Sequence, residues 1–251
     1  MAGTGGGIEY VSLAGLRVDG RRPPEVRRLT YQFGVISGAQ GSALFAQGDT
    51  KVMASVYGPR EVKYASEAEH DKAVLKCEFY ASPFATAERR QRSTGDRRAV
   101  RDGRVLQKAL EATVLTHLFP RSQIEVFVHV LQGDGGAVCA AINAATLALC
   151  DAGIPMRELV VACAAGHLAG HTLVDLNYLE ESAGGPVVPV SLLPRANKLV
   201  SLSLQAKLPL DAFDAVMGGA MDGCRRIYQK IENALRERTH QLAAARGGVD
   251  A

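Results

Sequence analysis

Three stretches of this chain hold residue types that handle phosphate. Gly133-Asp134-Gly135-Gly136 lies just ahead of a run of helix-forming residues. A glycine turn there presents backbone N–H groups and the positive end of a helix dipole, so an anion such as phosphate is its natural guest; glycines also serve such a turn for tight backbone geometry alone. Asp175 and Glu180-Glu181 gather three carboxylates within seven residues. If the chain turns there they could hold a divalent cation or donate a proton, and otherwise they make a charged loop. Between Arg89 and Lys108 stand eight basic residues (Arg89, Arg90, Arg92, Arg97, Arg98, Arg101, Arg104, Lys108) against two acidic ones, Asp96 and Asp102. Such a run is either a solvated helix face or a track for a polyanion. A phosphate-bearing polymer fits all three stretches.

Other chemistry is less well served. His167 and His171 are four apart, but Gly166 and Gly170 argue against a helix that would align them as metal ligands. The five cysteines (Cys77, Cys139, Cys150, Cys163, Cys224) are odd in number and form no CxxC pair, which argues against a disulfide framework or a thiolate zinc site and for small buried hydrophobes.

The elements that must position these groups follow from periodicity. Ala43–Ala46 and Val52–Tyr57, broken by Gln47-Gly48-Asp49, predict a hairpin, and Val74–Tyr80 a further strand. From about Arg98 the residues Val105, Leu106, Ala109, Leu110, Val114 and His117 recur at three and four, which predicts an amphipathic helix stopped near Pro120, with the basic run leading into it. Ser122–Leu131 alternates as a strand, the glycine turn follows, and Cys139–Cys150 predicts a helix closing at Asp151-Ala152-Gly153. Leu159–Gly166, Thr172–Leu176, Val187–Leu193 and Leu199–Leu204 predict strands, and Leu210–Ala245 a C-terminal helix weakened at Gly218-Gly219. The pattern is α+β, with a division near Asp151–Met156.

At 251 residues, 47% apolar and 22% charged, the chain can bury a large core, and no apolar run reaches the roughly 18 residues of a membrane span. The expectation is a soluble protein with no membrane partner. Met1–Gly7 has no basic or apolar signal region and is expected to be a short tail in a protein kept inside the cell. The net charge of +3 is too small to predict nucleic-acid binding by itself; the local distribution carries that argument.

Several motifs together resemble the RNase PH family, and within it the ring subunits of the RNA exosome. They are Arg17-Val18-Asp19-Gly20-Arg21-Arg22, Gly48-Asp49-Thr50-Lys51-Val52, Val56-Tyr57-Gly58-Pro59-Arg60-Glu61, Arg121-Ser122-Gln123-Ile124, Leu131-Gln132-Gly133-Asp134-Gly135-Gly136, Ile142-Asn143-Ala144-Ala145-Thr146-Leu147-Ala148, Asp151-Ala152-Gly153-Ile154-Pro155-Met156-Arg157 and Asp175-Leu176-Asn177-Tyr178, in order along the chain. The resemblance implies an RNase PH fold: an N-terminal half like ribosomal protein S5 domain 2 over 17–152 and a smaller α+β half over 153–245, flanked by tails at 1–16 and 246–251. It also implies a six-membered ring of RNase PH-like subunits with S1/KH cap proteins, a separate associated nuclease, and single-stranded RNA in a channel, in the nucleus, nucleolus and cytoplasm.

Active members resembling this chain are phosphate-dependent 3′-to-5′ exoribonucleases that release nucleoside diphosphates. Their phosphate turn has the form Gly-Gly-Thr-Arg-Ser, whereas this chain reads Gly135-Gly136-Ala137-Val138-Cys139. An isopropyl group stands where a guanidinium should hold the attacking phosphate, and two hydroxyls are gone. Of the family's two aspartates, Asp175 is kept and the second is Glu181, a longer side chain that shifts a metal or a proton donor. Arg97 and Arg98 match the family's RNA-gripping pair. Arg89, Arg90 and Arg92 match a basic loop, and Arg60 and Lys63 match a loop that guides RNA into the ring.

These residues predict an RNA-binding ring subunit for 3′-to-5′ RNA processing and decay, including ribosomal and messenger RNA, with a degraded catalytic site at Asp175 and Glu181. No cofactor is firmly expected; magnesium and inorganic phosphate enter only if the subunit is active. The alternative is an active phosphorolytic exoribonuclease. A generic nucleotide-binding enzyme rests on the glycine turn alone.

Overall fold

The computed structural model describes residues 10–62, 69–89, 96–245 and 247. The first sheet contains β1 (Leu29–Phe33), β2 (Gly41–Gln47), β3 (Thr50–Glu61), β4 (Val74–Ala81) and β5 (Ser122–Gln132) in the order β1-β2-β3-β5-β4. Only the β4–β5 pair is parallel. Parallel neighbours need a crossover, and α1 (Arg97–Glu111) lies within it. The second sheet is antiparallel, in the order β7-β6-β8-β9, from β6 (Val161–Leu168), β7 (His171–Val174), β8 (Val187–Leu193) and β9 (Lys198–Leu202).

Between the sheets lies α2 (Ala137–Asp151), buried along nearly all its length from Cys139 to Leu149. A helix that is apolar all round belongs in a core, and here it joins both sheets into one continuous hydrophobic cluster. Asn143 and Thr146 are fully buried yet satisfied, Asn143 by Ala162 on β6 and Thr146 by Val160 beside it, so the polar atoms of α2 fix its depth against the second half.

Three local expectations are corrected. The helix expected to reach His117 stops at Glu111, because the Pro155–Arg157 segment captures the backbone that follows: Leu115 N donates to Pro155 O at 3.1 Å and Arg157 N to Thr113 O at 2.8 Å. The strand expected to reach Leu176 ends at Val174, because Asp175 has φ +56°, outside the β region. Glu180 and Glu181 belong to a short helix, α3 (Tyr178–Ser182), started by a capping box between Asn177 and Glu180. The C-terminal helix is found as expected: α4 (Leu210–Ala245) runs unbroken through Gly218-Gly219. It packs so closely on the second sheet that a Cβ at Gly223 would lie 2.7 Å from Cys163 Sγ. β1 was not among the expected strands, although Leu29, Tyr31 and Phe33 alternate with Thr30 and Gln32; its three central residues are exposed at the sheet edge.

Candidate functional site

The turn that holds Gly133–Gly136 is tied down by a residue the sequence did not single out. Arg27, in the strap that runs from Arg17 towards β1, is 8% exposed. Its Nη1 donates to Thr50 Oγ1 at 3.2 Å and to Asp134 O at 2.6 Å, and its Nη2 donates to Gly135 O at 3.2 Å. The same guanidinium holds Asp175: Nε reaches Oδ1 at 3.1 Å, Nη2 reaches Oδ1 at 2.8 Å, and the Arg27 backbone N–H donates to Oδ2 at 2.7 Å. Burial works against the Arg27 charge, but the hydrogen bond to Asp175 and the negative charges of Asp175 and Asp134 outweigh it and raise its pKa above the ordinary arginine value. Thr50, at the first position of β3, completes the knot by donating to Gly135 O at 2.8 Å and accepting from Asp134 N at 3.1 Å.

A second buried pair lies alongside. Arg17 and Glu180 are fully buried at their side chains and joined by two hydrogen bonds, and Arg17 also donates to Val174 O at 2.6 Å and Asp175 O at 3.0 Å. Arg21 adds a bond to Asp175 O at 3.1 Å and lies 3.7 Å from its carboxylate. The left-handed Asp175 is thus held through its carbonyl and both carboxylate oxygens. The turn also lies hard against the residues that follow Asp175: a Cβ on Gly135, which has φ +78°, would lie 2.6 Å from Leu176 O.

The open face of the turn is occupied by this chain's own acid. Gly136 is the N-cap of α2, with φ 64° and no side-chain cap, and its N–H donates to Glu181 Oε2 at 3.2 Å. Val138 does not project a polar group there but packs against the core, and Cys139 is 3% exposed, its thiol pushed well above the ordinary range by burial. A cavity of about 540 Å³ opens beside the turn, lined by Asp49, Phe84, Gln132, Asp134 and Tyr178 among others; none of its described lining residues is basic. An anion entering here meets carboxylates first.

The basic residues sit elsewhere. Arg97 and Arg98 are the first two residues of α1, both exposed, and the α1 N-cap Asp96 accepts from Arg98 N at 2.9 Å. Arg60, near the end of β3, is exposed with its guanidinium 5.3 Å from the centre of the Tyr57 ring. Arg89 is exposed beyond β4, while Lys63, Arg90 and Arg92 lie outside the described residues. The turn with Asp175 and Glu181 therefore forms one cluster, to which the described basic residues of the sequence reading contribute no hydrogen bond. Arg27, Arg17, Thr50 and Glu180 are the polar residues that organise it.

Two family models cover most of the chain: 3′ exoribonuclease family, domain 1, matches residues 25–155, and 3′ exoribonuclease family, domain 2, matches residues 158–223. The chain belongs to the RNase PH family. It is 49% identical over 236 residues to the exosome complex component RRP41 homolog of Arabidopsis thaliana, covering 94% of this chain and 98% of the relative. It is 41% identical to exosome complex component RRP41 of Homo sapiens, covering 96% and 99%, and 40% identical to exosome complex component Rrp41 of Thermococcus kodakarensis, covering 97% of each. Among solved structures it is similar to rice Rrp46, with TM-score 0.77, 25% identity and coverage of 87% and 100%. A structure described as the Archaeoglobus fulgidus exosome with RNA bound to the active site shares the fold, with TM-score 0.76 and 24% identity over 86% of this chain and 93% of that one.

The RNase PH chemistry implies a phosphate and, in active members, a magnesium ion. The residues present do not fit either well. Both carboxylate oxygens of Asp175 already accept hydrogen bonds from Arg27, and among the described residues no group of three or more His, Cys, Asp and Glu side chains is arranged to hold a metal. A phosphate at the turn would have to displace Glu181 from Gly136 N–H and would find an aliphatic Val138 in place of a guanidinium.

Proposed function

We propose that this chain is a ring subunit of an RNA exosome, assembled with other RNase PH-like subunits, that binds single-stranded RNA without cutting it and passes it to a separate nuclease. The observation that carries the catalytic part of this reading is the hydrogen bond from Gly136 N–H to Glu181: the anion seat is filled by a carboxylate of the chain itself, beside an aliphatic Val138. Phosphorolysis must hold one anion against another, and each preorganised donor it lacks costs on the order of 10² to 10³ in rate. The identity to RRP41 proteins over nearly the full chain supports the ring, with S1/KH caps above it.

The exposed Arg97, Arg98 and Arg60 supply the RNA contact in this reading, through sequence-independent phosphate interactions that weaken with salt. Processing of ribosomal RNA and decay of messenger RNA, in nucleus, nucleolus and cytoplasm, follow from membership of such a complex.

The assembled ring, without its hydrolytic nuclease and given labelled RNA, magnesium and phosphate, tests this. No nucleoside diphosphate is expected. Phosphate-dependent release that disappears when this subunit alone carries Glu181→Lys would overturn the reading and favour its rival, an active phosphorolytic exoribonuclease, which retains support from Asp175 and the intact glycine turn.

A further inference from the structure

The outer face of α1 carries more cation than the Arg97-Arg98 pair. At 3.6 residues per turn, Arg97, Arg101, Arg104 and Lys108 fall on a single line of the helix, on the side opposite the buried Gly103, Leu106, Ala109 and Leu110. All four are exposed. Among the described residues Arg97, Arg104 and Lys108 enter no ion pair, and Arg101 reaches only its neighbour Asp102, at 3.0 Å. Nearby acid is already engaged: Glu111 accepts from Gln107 at 2.8 Å. Val100, 48% exposed, and the half-buried Val105 flank the line, and a shallow groove of about 450 Å³ runs over these six residues.

A helix face that merely needs water ordinarily mixes charges of both signs, which gain from pairing at three and four residues. This line has one sign for about 16 Å, the rise of eleven residues, and sets aliphatic surface between its cations. We infer that it is a track for the phosphodiester backbone of single-stranded RNA, extending beyond Arg97-Arg98 along α1, with Val100 and Val105 offering apolar surface to unstacked bases. The inference rests on the RNA-binding reading above and adds Arg101, Arg104 and Lys108 to the contact.

The test uses the assembled ring and an unstructured oligoadenylate, with binding measured between 50 and 200 mM salt. Arg101→Gln, Arg104→Gln and Lys108→Gln are combined in this subunit, and Arg97→Ala with Arg98→Ala is run beside it. Loss of three phosphate contacts lowers the slope of log K against log salt by about 2. The affinity of the unaltered ring should therefore fall about 20-fold more than that of the triple variant over this range. Arg101→Lys with Arg104→Lys, which keeps the charge, should retain the full slope. An unchanged slope for the triple variant alongside a reduced slope for the pair would overturn the track and leave the RNA reading standing. Unchanged slopes for both would remove the RNA reading itself. Failure of the triple variant to enter the ring, with its own unfolding midpoint unaltered, would mean that the line docks an acidic neighbouring subunit and would also overturn the track.

Discussion

The knot around Arg27 and the outer face of α1 hold comparable numbers of arginines and treat them in opposite ways. Arg17 and Arg27 are buried, and every hydrogen bond they make is answered within the chain by Glu180, Asp175, Thr50, the Asp134 carboxylate or a backbone carbonyl. Arg97, Arg104 and Lys108 are exposed and make no ion pair with any described residue. In one region positive charge has become structure; in the other it is available to a ligand. The family's chemistry belongs near the first region, which suits the proposed loss of catalysis, whereas the proposed RNA binding needs only the second.

This contrast can be broken most forcefully at Arg27. Arg27→Ala leaves the Asp175 carboxylate buried without its partner, and removing one member of a buried pair costs about 3–5 kcal/mol. Arg104→Ala should change stability by no more than about 0.5 kcal/mol, as expected for an exposed site away from special features. Urea unfolding of the two variants checks the pair, and equal effects would erase the distinction.

Next in size is the proposed catalytic deficit. Restoring the family's turn through Ala137→Thr, Val138→Arg and Cys139→Ser, together with Glu181→Asp, should raise phosphate-dependent release of nucleoside diphosphate by on the order of 10² or more from an undetectable baseline, read by chromatography of the products. A quadruple variant that folds and stays silent would place the defect at the sequestered Asp175 instead.

A smaller effect is expected from Arg97→Ala with Arg98→Ala. RNA crosslinking to this subunit should weaken at low salt, with the salt slope falling by about 1.4 for two lost contacts and the unfolding midpoint unmoved. Unchanged crosslinking would take these residues off the path.

The last effect concerns pH. Burial pushes the Cys150 and Cys224 thiols up to about 12. With folded values above the unfolded one, their contribution is complete below about pH 8.5 and is lost as pH rises towards the folded values, by about 1.4 kcal/mol per unit for each thiol. Urea midpoints at pH 8 and pH 10 should show this decline, while RNA affinity through Arg97 and Arg98 should hold as long as the chain remains folded.

Much of the scaffold was readable from period and punctuation. The alternation of Ser122–Leu131 and the apolar Cys139–Cys150 run lie where β5 and α2 form, because a strand paired on both sides and a core helix are set by hydrophobic pattern. The extents of α1 and β7 were not readable, since the Pro155–Arg157 segment and the left-handed Asp175 decide them, the one remote in sequence from the helix it stops and the other set by tertiary packing. At the site, the departures at Ala137, Val138 and Cys139 were visible as residue types. The knot was not: Arg27 and Asp175 are 148 positions apart, and a buried ion pair at that separation leaves no local signature. A signal did exist in the basic strap Arg17-Val-Asp-Gly-Arg-Arg through Arg27-Arg28, whose arginines are too many for so short a segment with so little helical or strand pattern.

That strap has a bearing on how the protein is made. Arg17 and Arg27 leave the ribosome early, yet their counter-charges at Asp175 and Glu180 emerge about 150 residues later; at 5–20 residues per second this is a wait of roughly 8–30 s. During that interval the guanidiniums of Arg17 and Arg27 lack their buried carboxylate partners on a nascent chain surrounded by ribosomal RNA, and the glycine turn has only its first-half bonds to Arg27 and Thr50. A chain cut short before Asp175 would keep that stickiness permanently.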